Sequence, residues 1–326
     1  MSLVTGGAGF IGSNVVAALN DAGRSDVVVC DLLGRDGKWR NLAKRQLMDI
    51  VPPDKFADWL KGRKLDAVIH LGAISETTAT DGDLVIETNF RFSLRLLDWC
   101  TDNPTPFIYA SSAATYGDGA QGFCDDPSLP ALKELRPMNL YGWSKHLFDL
   151  AVAERVARRE KLPPQCAGLK FFNVFGPNEY HKGTMMSVLA RRFDDIKAGR
   201  PVQLFKSHRE GIADGDQRRD FIYVDDVVRV MMWLLATPSV SGLFNIGTGT
   251  ARSFKDMMLS AYGALGTSPN IQYIDMPEQI RGSYQYFTQG EVDRLRGAGY
   301  NGGFTALEDA VELYVKGFLD RADRFR

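Results

Sequence analysis

A parallel sheet between two helical layers, the doubly wound α/β arrangement, is what the first half of this chain predicts. Three observations carry that expectation. Short apolar runs alternate with helical segments from the first residues to Phe172. The first run leads straight into Gly6-Gly7-Ala8-Gly9-Phe10-Ile11-Gly12, a glycine-rich turn that opens an apolar helix. The second run ends in a carboxylate, Asp31.

The elements follow in order. Leu3, Val4 and Thr5 form a buried strand, and the helix begun at the glycines returns the chain to Val27-Val28-Val29-Cys30-Asp31, a second strand. This is a βαβ unit suited to a dinucleotide. A pyrophosphate needs backbone N–H groups at a helix N-terminus with no side chains in the way. Gly6 allows the tight turn, Gly9 lets the backbone approach the phosphates beside Phe10 and Ile11, and Gly12 lets the helix pack on the strand. Asp31, about twenty residues on, is placed to accept from an adenosine ribose hydroxyl.

A polar loop, Gly34 to Arg40, comes next. A helix around Phe56 to Lys61 leads to the third strand, Ala67 to Leu71. Asp83 to Cys100 has helical apolar spacing at Leu84, Phe92, Leu96 and Trp99. Pro106 to Ala110 is the fourth strand, running into Ser111-Ser112. Tyr141 to Lys161 is a long helix with a basic end, as a helix C-terminus prefers. Cys166 to Phe172 is the fifth strand. Beyond Asn173 the rhythm changes, and Phe175-Gly176-Pro177 breaks the pattern. Helices are expected at Met185 to Ala198, Asp225 to Leu235, Phe254 to Gly263 and Leu307 to Phe318. Strands are expected at Val202 to Phe205, Asp220 to Tyr223, Leu243 to Ile246 and Ile271 to Ile274. The expected organisation is a nucleotide domain over 1–172, to which 220–250 returns, and a smaller C-terminal α/β substrate domain from 173–219 and 251–326. The ligand cleft belongs at the carboxyl ends of the parallel strands.

Composition narrows the partners. The chain has 326 residues, and its 39 Lys and Arg nearly balance its 40 Asp and Glu. No global charge points to nucleic acid or an anionic membrane. No signal peptide precedes the first strand and no apolar run spans a bilayer, so a cytoplasmic location is expected. The four cysteines, Cys30, Cys100, Cys124 and Cys166, have no metal-type spacing. Cys30 and Cys166 fall in apolar runs and read as reduced core residues, and no metal is expected. A small-molecule ligand and a homo-oligomer are.

Tyr141-Gly142-Trp143-Ser144-Lys145 carries the chemistry. Tyr141 and Lys145 are four apart near a helix start and share a face. A free tyrosine is too weak an acid for base work at neutral pH. A nearby ammonium, or the positive ring of an oxidised nicotinamide, favours the phenolate. Lys145 can also bind the nicotinamide ribose, and Ser111 and Ser112 can steady a reacting hydroxyl.

Gly6-x-x-Gly9-x-x-Gly12, Ser111-Ser112 and Tyr141-x-x-x-Lys145, in that order, resemble the extended short-chain dehydrogenase/reductase superfamily. The resemblance implies a Rossmann fold and leaves epimerases, dehydratases and reductases of nucleotide sugars open. Members that dehydrate sugars carry an Asp-Glu pair after the strand-end Ser. Here Ala113 and Ala114 stand there and cannot move protons, so dehydration is not expected.

A narrower set of stretches is similar to the ADP-L-glycero-D-manno-heptose 6-epimerase family: Val4 to Asn14, Tyr109 to Gly117, Asn139 to Asp149, Phe172 to Met185, Arg219 to Val227, Phe244 to Gly249 and Gly282 to Gln289. His181-Lys182-Gly183 and the late Tyr-Gln-x-Phe-Thr-Gln segment are its specific parts. That resemblance implies an isomerase of lipopolysaccharide core assembly, acting on ADP-heptose, with Tyr141 and Lys182 as two acid/base groups beside Lys145 and Ser112. It implies NADP rather than NAD, on Gly6, Gly9, Phe10, Ile11, Gly12, Asp31, Leu32, Lys38, Leu71, Ala73, Ser75, Asn89, Lys145, Val174 and Lys182. It implies substrate contacts from Ser112, Asn173, Thr184, Arg191, Phe205, Lys206, Ser207, His208, Arg219 and Tyr284.

The chain departs from that family at several points. Asp31 alone favours NAD, and Leu32 stands where the family has Asn. Lys38, with Arg35, can still meet a 2′-phosphate. Leu71 and Ile74 replace Glu and Cys, and Arg191 replaces His. Plainer readings stand beside these. Lys182 is a solvated loop lysine, Arg219 an ion pair to Asp220 or Asp216, and His208 to Arg219 a surface loop instead of a lid. His70 reads as a packing residue, and His181 as lying behind the site. The alternative enzyme is a UDP-hexose 4-epimerase or related nucleotide-sugar reductase. The alternative of another class is a non-catalytic dinucleotide-sensing regulator.

Overall fold

The computed structural model describes residues 1–281 and 284–326. Gly282 and Ser283, the start of the Gly282 to Gln289 stretch, lie outside the described residues. Strand β1 (Ser2–Thr5) sits between β2 (Val27–Cys30) and β4 (Ala67–His70), with Leu3 beside both Val28 and Val68. Strands β3 (Asp49–Val51), β5 (Phe107–Ser112), β6 (Cys166–Phe171) and β10 (Gly242–Ile246) complete a seven-stranded sheet, order β10-β6-β5-β4-β1-β2-β3, all parallel. The order reverses direction at β1, between β2 and β4, which opens a crevice at the carboxyl ends of the strands there. The expected doubly wound fold is present.

Both faces of the sheet are covered. One carries the Phe10–Asp21 and Val224–Ala236 helices, whose Val15, Val16, Leu19, Val227, Val230 and Leu234 pack with Val4, Val29 and Ile69. The other buries Leu96, Leu97, Cys100 and Phe148 against Leu3, Val28, Val68 and Phe107. Cys30, Cys100 and Cys166 are buried free thiols, and burial pushes Cys30 and Cys166 up to about 12. Cys124 is exposed.

The second half builds two small sheets. Strand β7 (Asn173–Phe175) pairs in parallel with β9 (Arg218–Tyr223), which pairs antiparallel with β11 (Ala251–Ser253). Strand β8 (Val202–Phe205) pairs with β12 (Ile271–Ile274). Helices Val188–Lys197, Phe254–Leu265 and Leu307–Tyr314 close over them on Leu189, Phe193, Met257, Met258, Val311 and Tyr314.

Several elements differ from expectation, among them strand β11 and a helix at Leu129–Glu134, neither of which was anticipated. Strand β3 was not anticipated, since two of its three residues are exposed at a sheet edge and show no apolar alternation. Strand β7 was not anticipated either, because the Gly176-Pro177 break falls directly after it. The Asp83 to Cys100 segment is two helices, Gly82–Ile86 and Phe92–Asp102, joined by a wider turn at Glu87–Arg91. That turn shifts the apolar face, so Leu84 is 53% exposed instead of packed.

Gly12 shows how closely helix and turn approach. A Cβ there would lie 2.1 Å from the Gly6 carbonyl oxygen and 2.9 Å from Gly7 Cα, both backbone atoms. Gly12→Ala is expected to cost ~1–3 kcal/mol of stability by overpacking and to weaken dinucleotide binding. Thermal melting and a cofactor titration check it.

Candidate active site

At the carboxyl ends of β1 and β4 the chain forms a cavity of about 440 Å³. Its floor is the glycine turn. Gly6 has φ +66°, and a Cβ on it would meet Gly72 N at 2.6 Å, so only glycine lets the β1 and β4 loops touch. Gly9 caps the Phe10–Asp21 helix with extended backbone and no side-chain hydrogen bond. The amides of Phe10, Ile11 and Gly12 therefore have no partner within the helix and face the cavity with the helix dipole behind them. This is a diphosphate cradle with the space that glycine leaves, and it fits a dinucleotide.

Asp31 closes the far end. Its carboxylate accepts from Ala8 N at 2.8 Å, Leu32 N at 2.7 Å and Lys38 Nζ at 2.6 Å. Lys38 also donates to the Leu32 carbonyl at 3.1 Å. Leu32 thus acts through its backbone, and its side chain is 64% exposed and off the cavity wall.

The reactive residues come from three elements. The Leu140–Ala157 helix starts at Tyr141's own turn because the Asn139 side chain accepts from Gly142 N at 2.8 Å. Gly142 lets that start press on the next turn, since a Cβ would lie 2.7 Å from the Ala114 carbonyl oxygen. Lys145 is buried and donates to the Ala110 carbonyl at 2.9 Å. Burial pulls its pKa down to about 8, with Asp149 acting the other way. Ser112 ends β5 and accepts from Ala114 N at 3.1 Å. Burial pushes the Tyr141 phenol up, and its hydrogen bond with Ser112 pulls it back.

Lys182 comes from the turn Tyr180–Met185, which Gly183 kinks with φ 55°. Its ammonium lies 5.1 Å from the Phe10 ring centroid. Burial lowers its pKa, and Glu179 opposes that. Tyr141, Lys145, Ser112 and Lys182 all line the one cavity, with Gly6, Gly9, Phe10, Ile11, Gly12, Asp31, Lys38, Leu71, Ala73, Ser75, Asn173 and Val174. His181 also lies on the wall instead of behind it.

Other residues stand back. Asn89 is fully buried and clamps the Ile74 backbone, accepting at 2.8 Å and donating at 2.9 Å, while donating to Ser144 Oγ at 3.0 Å. It fixes the β4 loop to the Tyr141 helix. Thr184 and Arg191 are exposed, and the Arg191 guanidinium donates to the Thr184 carbonyl at 3.3 Å. His70 packs as expected, bridging Thr5 Oγ1 at 2.6 Å and Ser93 Oγ at 2.8 Å.

Arg219 sits at the edge, against Phe254, which lines the cavity. Its guanidinium lies 5.5 Å from Phe254 and 5.1 Å from Tyr284 and donates to the Gln285 carbonyl. Asp216 pairs with Arg218, and Asp220 accepts from Thr248, Gly249 and Gly290 instead. Among the described residues Arg219 therefore has no carboxylate partner, and the bland ion-pair reading fails. Phe205 packs on Tyr284 at 6.2 Å, His208 Nε2 accepts from Met276 N at 3.3 Å, and the Ser207 amide donates to Asp214 at 2.7 Å. Lys206 faces Asp275 at 3.5 Å.

Sequence reasoning missed the residues that join the two walls. Asn14 Nδ2 donates to the Pro177 carbonyl at 3.0 Å, Asn41 Nδ2 to Ala8 and Asn178 carbonyls at 2.9 and 3.1 Å, and Asn178 Nδ2 to Ser13 Oγ at 3.0 Å. Glu179, fully buried, accepts from Ser187 and from the Tyr314 hydroxyl. Asn14, two residues past Gly12 in an apolar helix, was the available signal.

The fold and this site define a nucleotide-binding enzyme of the extended Rossmann type. Residues 2–247 match the NAD dependent epimerase/dehydratase family, and the chain belongs to it. Within that family it is similar to ADP-L-glycero-D-manno-heptose-6-epimerase of Nitratidesulfovibrio vulgaris (strain DP4), 49% identical over 329 residues covering 100% of both chains. The Helicobacter pylori ADP-L-glycero-D-manno-heptose-6-epimerase structure is 27% identical at TM-score 0.78 and covers 97% of this chain and 95% of that one. MoeE5 in complex with UDP-glucuronic acid and NAD is 26% identical at TM-score 0.72, with 97% of each chain covered. The chain is an isomerase of the epimerase type with a nicotinamide dinucleotide site. Among the described residues no helix is long and apolar enough to cross a membrane.

Proposed function

We propose that this enzyme epimerises carbon 6 of ADP-D-glycero-D-manno-heptose to the L-glycero form, using bound NADP, in lipopolysaccharide core assembly. The observation that carries it is the convergence of Tyr141 and Lys182, from separate elements, on the one cavity that also holds the glycine cradle. Full-length similarity to enzymes of that name supports the substrate.

A nicotinamide dinucleotide held by the glycine turn, Asp31, Lys38 and Lys145 would supply the acceptor and donor of hydride for carbon 6, and its positive ring would favour the Tyr141 phenolate. The residues supply the rest. Tyr141 takes the hydroxyl proton, with Ser112 orienting that hydroxyl and Lys145 stabilising the phenolate. After the 6-keto sugar presents its other face, the new alkoxide lies away from Tyr141. Lys182 donates a proton there, and burial favours its release. Arg219, buried and with no carboxylate partner among the described residues, grips the substrate diphosphate beside Tyr284 and Phe205. Thr184, Arg191 and the Lys206-Ser207-His208 segment close on the sugar when it binds. Residues 1–172 with 220–250 hold the cofactor, and 173–219 with 251–326 hold the sugar nucleotide.

The Asp31–Lys38 pair supports NADP. A lone carboxylate repels a 2′-phosphate, but Lys38 cancels that charge and adds a donor. Lys38→Ala is expected to weaken NADP⁺ binding by about 10–100-fold, the worth of one charge-assisted hydrogen bond, and to spare NAD⁺. Equal losses for both cofactors in a fluorescence titration would remove Lys38 from phosphate recognition. The function is tested by incubating the enzyme with ADP-D-glycero-D-manno-heptose and with UDP-galactose. Conversion of the second alone would establish a carbon-4 epimerase.

A further inference from the structure

Beneath the reactive residues lies a buried polar cluster that the mechanism above does not use. Asp149 follows Tyr141 and Lys145 at four-residue spacing on one helix face and is completely buried. Ser111 Oγ, next to Ser112, donates to Asp149 Oδ2 at 2.6 Å. Lys170 on β6 is equally buried and sits 3.4 Å from the same carboxylate oxygen. It lies beside Ser111 in the strand register. Lys170 donates to Thr115 Oγ1 at 2.7 Å, and Thr115 Oγ1 donates to the Ser112 carbonyl at 2.8 Å. Its ammonium also lies 4.4 Å from the Tyr116 ring centroid. Asp149 is thus tied to both sides of Ser112.

The cluster costs free energy to bury, since a buried ion pair rarely outdoes apolar packing. Its geometry says what that cost secures. We propose that Asp149, held by Ser111 and Lys170, is a positioning residue of the reaction: it is the counter-ion that keeps Lys145 an ammonium and, through the Ser111 and Thr115 links, fixes Ser112 under Tyr141.

The groups facing this cluster are few. His70 on β4, Tyr109 on β5, Lys170 on β6 and Tyr116 after β5 surround it, with Tyr141 and His146 on the helix itself and Asp125 beyond Lys170. Asp149 is the carboxylate that acts on Lys145 and opposes its desolvation. An ammonium that loses its counter-ion is deprotonated at lower pH.

The inference rests on the proposed roles of Tyr141, Lys145 and Ser112, and its test must separate the two. Asp149→Asn/Lys170→Met removes both buried charges together, which spares the fold an unpaired one. Ser111→Ala keeps both charges and removes only the bond that seats Asp149. Lys145 is read by NMR of ¹³C-lysine-labelled protein without substrate, its resonance assigned by its loss in Lys145→Met. In the double variant its titration midpoint is expected to fall by about one pH unit, and in Ser111→Ala by less. The alkaline limb of kcat/KM is expected to fall with it, while that of Asp149→Glu stays near the wild type. An unchanged Lys145 midpoint in the double variant overturns the proposal. Should that variant not fold, an unchanged midpoint in Ser111→Ala does the same. A lowered midpoint with no epimerisation of ADP-heptose by the wild type would leave the counter-ion role standing and defeat the functional reading instead.

Discussion

Tyr141→Phe is expected to lower epimerisation by ~10²–10⁴-fold, the usual cost of removing a general acid/base, with folding intact. The substitution keeps the ring, and the helix start is set by Asn139 and Gly142 instead of the phenol. Dinucleotide binding should persist, because the glycine turn and Lys145 are untouched. The hydroxyl's contact inside the site is Ser112. Its loss leaves a small unfilled space, so a modest change in melting temperature accompanies the kinetic effect. A rate above about a tenth of wild type would take Tyr141 out of the mechanism. Steady-state assays with ADP-D-glycero-D-manno-heptose, run beside a cofactor titration, decide it.

Lys182→Met carries the second large effect. A single-base epimerase has no need of this lysine, whereas a two-base epimerase needs a proton donor away from Tyr141. Lys182 occupies the wall formed by the Tyr180–Met185 turn, next to Phe10, while Tyr141 reaches in from the Leu140–Ala157 helix. Epimerisation is expected to fall by ~10²–10⁴-fold in both directions. The methionine keeps the length and apolar stem beside Phe10 while losing the ammonium over its ring, and cofactor binding holds. Glu179 loses a neighbouring cation but keeps Ser187 and Tyr314 as donors. The mutant should still exchange hydride with an aldehyde analogue of the substrate, a half-reaction that uses one proton donor. Near-normal epimerisation would defeat the two-base assignment.

The sheet was legible because its strands are buried on both faces and read as unbroken apolar runs, as in Val27-Val28-Val29. The glycine turn and the Tyr141/Lys145 pair were legible because sterics and helical spacing write themselves into local sequence. What failed was non-local or too short. Strand β3 has three residues and one buried side chain, and β7 hides against a Gly-Pro break. The turn at Glu87–Arg91 has no proline or glycine to mark it. Asn89, expected at the cofactor, instead holds the Ile74 backbone 15 residues away in sequence. Asn14, Asn41 and Asn178 have partners across more than a hundred residues, beyond the reach of any periodicity.

Those three asparagines also bear on how the enzyme ages. Each is buried and spends its amide nitrogen as a donor, Asn41 to two carbonyls at once and Asn14 to the carbonyls of Phe10 and Pro177. Slow hydrolysis of the Asn14 or Asn41 amide, the commonest chemical wear of asparagine on heating, replaces the donor with a carboxylate oxygen that faces carbonyl oxygens. A bond turns into a repulsion in a site closed to water. None of the three precedes a glycine, for Val15, Leu42 and Glu179 follow them, so the reaction has no easy local route. Yet one event at Asn41 would part the glycine turn from the segment that brings Lys182. In stored or heated enzyme, catalytic death should track the appearance of a carboxylate at these positions by peptide mass, ahead of any loss of the sheet.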